Sequence, residues 1–140
     1  MWKLLVFVVM FLGVVSCKEK NCVSSPLVLF DDLSEPGVDY YLYDYDTLRI
    51  EIPSVVTPNN DGFNDVFITK TNITKSNFVA VDFKIRNNCR ETIYKQHGTF
   101  PFVIPDLDNM VDGAYNFDFS IVLNDKRVIS GGGVINIIRK

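Results

Sequence analysis

The sequence is poor in the side chains from which most catalytic centres are built. It holds one histidine and three cysteines in 140 residues. A single imidazole excludes multi-histidine zinc sites, and His97, beside Gly98 in an expected loop, assembles no Ser-His-Asp triad. The acidic pairs Asp31-Asp32 and Asp106 with Asp108 lie in turn-like segments, where Asp serves the backbone, so they imply no carboxylate cleft. A basic excess is lacking too: the formal net charge is −3, which excludes the electrostatic footprint of a nucleic-acid binder. Internal repeats, low-complexity stretches and runs at helical spacing are missing after the first residues. The expectation is a protein that is not an enzyme and requires no cofactor.

One long apolar run is present, residues 4–15, directly after Lys3. It is too short for a comfortable membrane span, which needs about 20 residues, and reads as an export signal. Ser16-Cys17 at its end resembles a bacterial lipobox, with residues 1–16 as the signal and Cys17 as the lipidated first residue of the mature chain. An ordinary secretory signal cut elsewhere is the alternative. Loss of Lys3 with the signal takes the net charge from −3 to −4. Residues 17–25 then form a short tether, and residues 26–140 are one domain's worth of chain. Two cysteines remain, Cys22 and Cys89, in a compartment that permits disulfides. They are either bonded, closing a long loop, or two free thiols.

The domain reads as strand after strand. Residues 26–30 form a first apolar strand; Leu48, Ile50 and Ile52 alternate with Arg49 and Glu51. Val79, Val81, Phe83 and Ile85 alternate with Asp82, Lys84 and Arg86, and Tyr115, Phe117, Phe119, Ile121 and Leu123 with Asn116, Asp118 and Ser120. Period two marks half-buried strands. Asn124-Asp125 signals a hairpin, and a last strand over residues 134–138 follows Gly131-Gly132-Gly133. Short strands with turns every 8 to 12 residues predict an all-β, antiparallel, immunoglobulin-like sandwich.

Two stretches stand out as candidate sites. In DYYLYDYD, Tyr41, Tyr43 and Tyr45 fall on one face of an extended segment. They serve either as packing or as a partner-binding face, since tyrosine is enriched at interfaces. In TPNNDGFNDVF, residues 57–67, Asn and Asp crowd around Gly62. An EF-hand is excluded, because its register puts Thr57 at the first ligand position and Ile68 where a bidentate Glu belongs. A looser calcium site could use Asn59, Asp61 and Asp65, but the same residue types build tight turns.

Extended to residues 52–67, IPSVVTPNNDGFNDVF resembles the start of the gliding-motility-associated C-terminal domain of Bacteroidota, whose pattern runs roughly I-P-N-x-F-T-P-N-x-D-G-x-N-D-x-F. Pro53, Thr57, Pro58, Asn59, Asp61, Gly62, Asn64, Asp65 and Phe67 match it. The resemblance continues through FKIRNNCRETIY (83–94) and DGAYNF (112–117) to GVINIIR (133–139), so it covers about residues 50–140. Asn88, Cys89 and Arg90 stand where the family has Arg-Trp-Gly, and the family's later Trp-Asp-Gly is missing.

In that family the domain is the type B address for type IX secretion, carried behind a large passenger. Here only residues 18–49 precede it, beside an expected lipid anchor. The resemblance therefore implies an accessory or structural docking lipoprotein of the type IX translocon or gliding apparatus, at the outer membrane through Cys17. The mixed Lys18-Glu19-Lys20 favours its periplasmic face over the cell surface. Tyr41, Tyr43, Tyr45, Asn59, Asp61, Asn64 and Asp65 are the expected docking residues. The alternatives are a surface binding module for glycan or calcium-dependent adhesion, or a secretion substrate. Asp46-Thr47-Leu48 resembles the O-glycan acceptor of exported Bacteroidota proteins, making Thr47 a candidate modification site.

Overall fold

Alternation with a period of two decides most of the elements, because successive side chains of a strand point to opposite faces. The computed structural model describes Cys22, residues 40–46 and residues 48–139. The expected signal over 1–16, Cys17 and the rest of the tether, the expected strand over 26–30, Asp31-Asp32 and Thr47 lie outside the described residues.

Among the described residues the chain is mostly strand with almost no helix. The strands are β1 (Tyr40–Tyr45), β2 (Leu48–Pro53), β3 (Val55–Val56), β4 (Phe67–Ile68), β5 (Lys70–Thr71), β6 (Phe78–Arg86), β7 (Thr92–His97), β8 (Val103–Ile104), β9 (Gly113–Leu123) and β10 (Val128–Ile137). They form a five-stranded sheet in the order β3-β10-β9-β6-β7, a three-stranded sheet β1-β2-β5 and a two-stranded pair β4-β8. Inward residues of all three meet in one cluster that includes Ile50 and Ile52 of β2, Phe67 of β4, Phe83 of β6, and Phe117 and Ile121 of β9. Each buried side chain of this size contributes roughly 1.5–3 kcal/mol of transfer free energy.

Three sequence expectations are corrected. The pairing is not wholly antiparallel: β3 runs parallel to β10, with Val55 opposite Asn136 and Val56 opposite Ile137. Only Ser54 separates β2 from β3, so the chain leaves one sheet and joins another without reversing; the Ser54 carbonyl accepts the Asn136 N–H at 2.8 Å. Val79 does not share the buried face with Val81 and is 70% exposed. The register against β9 slips between Phe78 and Ala80, so Val79 is bulged out and Phe78 takes the inward position.

The glycine triplet is also not a break before the last strand. Gly131, Gly132 and Gly133 lie inside β10, opposite Phe119, Asp118 and Phe117. A Cβ on Gly131 would sit 2.5 Å from a ring carbon of Tyr43, and one on Gly133 would sit 2.8 Å from a ring carbon of Tyr41. The strip is bare because β1 lies across it.

The two cysteines are bonded. The Cys22–Cys89 disulfide joins positions 67 residues apart, and the Cys22 carbonyl accepts the Asn88 N–H at 2.7 Å. It fixes Cys22 at the corner between β6 and β7.

Two outcomes test this packing. Gly131→Ala should cost about 1–3 kcal/mol in chemical denaturation by crowding Tyr43 and Phe119, and less in a Tyr43→Ala background, where one of the crowded rings is gone. Reduction of the disulfide should cost about 4 kcal/mol in the chain-entropy picture; equal denaturation midpoints with and without reductant would contradict it.

Candidate functional site

The tyrosine stripe faces the protein's own interior. Tyr41 meets Phe117 edge-on at 5.5 Å between ring centroids, and Tyr43 meets Phe119 at 4.9 Å. Their hydroxyls are engaged as well. Tyr43 donates to the Gly132 carbonyl at 2.9 Å and Tyr45 to the Ser130 carbonyl at 3.1 Å, while the Tyr41 oxygen accepts the Val134 N–H at 3.1 Å. Burial, reinforced by neighbouring Tyr41 and Tyr45, pushes the Tyr43 phenol up to about 12, so it stays a neutral donor at physiological pH. The geometry gives these rings a packing role in place of the docking role expected of them. The outward residues of β1 are Tyr40, Leu42 and Asp44.

The Asn/Asp loop is organised around one carboxylate. Asp65 Oδ1 accepts the N–H groups of Asn59 at 3.0 Å and Asn60 at 2.7 Å, and Oδ2 accepts that of Gly62 at 2.7 Å. Asp61 Oδ1 accepts the Phe63 N–H at 2.9 Å, and Asn59 Oδ1 accepts the Asp61 N–H at 3.1 Å. Thr57 closes the loop through its N–H to the Asn64 carbonyl at 2.8 Å and its hydroxyl to the Phe63 carbonyl at 3.0 Å. Asn60, Gly62 and Asn64 sit at φ 63°, 87° and 54°, the left-handed region that Gly and Asn tolerate. Burial raises the Asp65 carboxyl, but the N–H groups of Gly62, Asn59, Asn60 and Asp61 outweigh it and hold the group below its usual range.

A cation here would compete for oxygens that already accept loop amides. Among the described residues no group of three or more His, Cys, Asp or Glu converges as a metal site. His97 also differs from expectation: it closes β7 instead of sitting in a loop, with Nδ1 2.9 Å from Asp82 Oδ1. That bond is the main cause holding Asp82 below the usual carboxylate range.

What the brace presents is apolar. Phe63 is 77% exposed and Val66 63% exposed, whereas Phe67 next along the chain is fully buried. Beside them lies a cleft of about 280 Å³ bounded by Tyr40, Pro53, Val66 and Ile68, with Glu51 and Lys70 adding charge. No family model, no curated protein and no solved structure matches the chain.

The sequence points to the polar residues of this loop as contacts, and nothing in its motif points to Phe63, Val66, Tyr40 or Ile68. The structure assigns Asn59, Asp61, Asn64 and Asp65 to the brace and leaves the apolar side chains outward. The available signal was Phe63 itself, a large apolar residue between Gly62 and Asn64 where a turn has no use for one.

A second cleft, of about 380 Å³, is lined largely by Ile93, Tyr94, Ile104, Met110, Val111 and Tyr115. Its polar members are occupied: Asn87 bonds Glu91 at 2.8 Å, and Asp106 accepts from Asn109.

The Asp65 brace has a pH signature. Its folded pKa is depressed, so its contribution is present above the ordinary Asp value of about 3.9 and is lost as pH falls through the lower folded value. Asp65→Asn should therefore lower the melting temperature at pH 7, and the gap to the wild type should close below about pH 4. A gap independent of pH between 7 and 2 would show that the carboxylate charge does not hold the loop.

Proposed function

We propose that the chain is a non-catalytic, lipid-anchored outer-membrane protein that serves as a docking subunit of a secretion or gliding apparatus through protein contacts. The observation that carries the docking role is Phe63, held in solvent by a loop whose amides from Asn59 to Phe63 bond side chains of the loop itself. An exposed aromatic on a preorganised loop loses little entropy on binding, the property of an interface anchor. The neighbouring cleft adds apolar surface for the partner, and neither cleft gathers a nucleophile, base and orienting group.

In this reading the three- and five-stranded sheets face one another as an immunoglobulin-like sandwich, which the shared cluster of Ile50, Ile52, Phe117 and Ile121 supports. The likeness to the gliding-motility-associated C-terminal domain draws support from loop geometry. Asp65, Gly62 and Asn64, three of its matched positions, are the ones the loop needs to turn. Arg90, which stands at the glycine of the family's corner, adopts φ 64°. The apparatus is accordingly a type IX translocon or gliding complex, Cys17 carries the lipid, and the protein faces the periplasm. The reading invokes no cofactor.

The test is recovery of the protein, tagged after Lys140, from gently solubilised native membranes, with co-purifying chains identified by mass spectrometry. Stoichiometric translocon or gliding components are expected, falling at least about tenfold with Phe63→Ala, equivalent to about 1.4 kcal/mol. Recovery of the protein alone would move the reading to a surface binding module. Unchanged recovery with Phe63→Ala would remove the loop as the contact.

A further inference from the structure

The strand register fixes what lies at each end of the five-stranded sheet. Arg86 at the end of β6 pairs with Asn116 near the start of β9, and Gly113 pairs with Ile137. The β6–β7 corner, the start of β9 and the end of β10 therefore share one end, and the turn over residues 124–127 marks the other. The second cleft opens at the first end, since Asn87, Ile93, Met110, Val111 and Tyr115 line it. Ile93 is 43% exposed there and Val111 61%.

Cys22 is covalently fixed at this same end. Its bond to Cys89 and its carbonyl contact to the Asn88 N–H place it next to Asn87, a residue of the cleft. Cys17 lies five residues earlier, and five extended residues reach at most about 18 Å. A lipid on Cys17 is thereby confined near the apolar cleft. Without the disulfide, the described fold would next be reached at Tyr40, 23 residues from Cys17.

We propose that this end of the domain rests on the lipid surface, with Ile93, Val111 and Met110 at the headgroup boundary and the Cys22–Cys89 bond setting the orientation. The inference rests on the lipid-anchor reading above. Charge is not the attraction: Asp106, Asp108 and Asp112 are exposed near the cleft and outnumber the exposed Arg90 of the β6–β7 corner, with Arg139 committed to Asp112. Contact should therefore need apolar burial alone and persist on zwitterionic lipid. β3 runs toward the same end beside β10, so the loop over 57–66 also starts there. A partner of Phe63 would meet it close to the membrane, as an integral or lipid-anchored protein does.

The experiment uses the full chain, acylated in its host and reconstituted into phosphatidylcholine vesicles. A single environment-sensitive fluorophore is placed at Val111→Cys or, at the opposite end, at Val128→Cys. Quenching by nitroxide lipids is expected at least severalfold stronger at position 111 than at 128, unchanged by raised salt, and lost at 111 when Cys22 and Cys89 are both serine although the protein stays vesicle-bound. Equal or reversed quenching overturns the orientation, and quenching at 111 that survives the double serine change overturns the role of the disulfide. Intact mass of the purified chain separates the two layers: an unacylated Cys17 sinks the anchor reading and this inference with it, whereas an acylated chain without quenching at 111 sinks this inference alone.

Discussion

The fold depends on how closely β1 can approach β10. Strands packed face to face ordinarily keep about 10 Å between sheets because side chains from both fill the gap. Over Gly131–Gly133 one partner contributes no side chain, so the tyrosine rings of β1 reach the backbone of β10 and spend their hydroxyls on it. This close seat ties β1 to β10 through the hydroxyls of Tyr43 and Tyr41. It also settles which face of β1 is inward, and with it the register of Ile50 and Ile52, which pair with Tyr43 and Tyr41.

That constraint explains what sequence could and could not reveal. The long strands were legible because five alternating positions, as from Tyr115 to Leu123, leave no other reading. β3, β4, β5 and β8 were not, since each has two residues and two residues show no period. Val79 looked inward by alternation, but one bulged residue inverts a strand's faces on either side of it. Gly131–Gly133 looked like a turn because glycine's turn role is local and visible, whereas its role as a seat for Tyr41 and Tyr43, about ninety residues earlier, is neither. The same distance hid the purpose of the tyrosine stripe.

The site was half legible for a related reason. A run of Asn, Asp and Gly announces that something is being coordinated, without saying whether the ligand is an ion or the backbone itself. Here Asp65 gathers three N–H groups of its own loop, so the densest signature in the sequence is one of local folding. A motif of this kind identifies a turn, and function has to be sought in the residues the turn does not use.

Phe63 is such a residue. The loop closes through Thr57, Asn59, Asp61 and Asp65 and bends at Asn60, Gly62 and Asn64; from Phe63 it takes only the backbone N–H and carbonyl. Any residue would supply those. The Phe63 ring takes no part in the loop's hydrogen bonds and stands in solvent, 77% exposed. Val66 repeats the pattern three residues on, exposed beside the buried Phe67 that anchors the loop to the core. One loop thus combines an inward anchor, an internally bonded turn and two outward apolar side chains, and in the reading proposed above the rigidity of the turn is what would let those side chains serve as an interface.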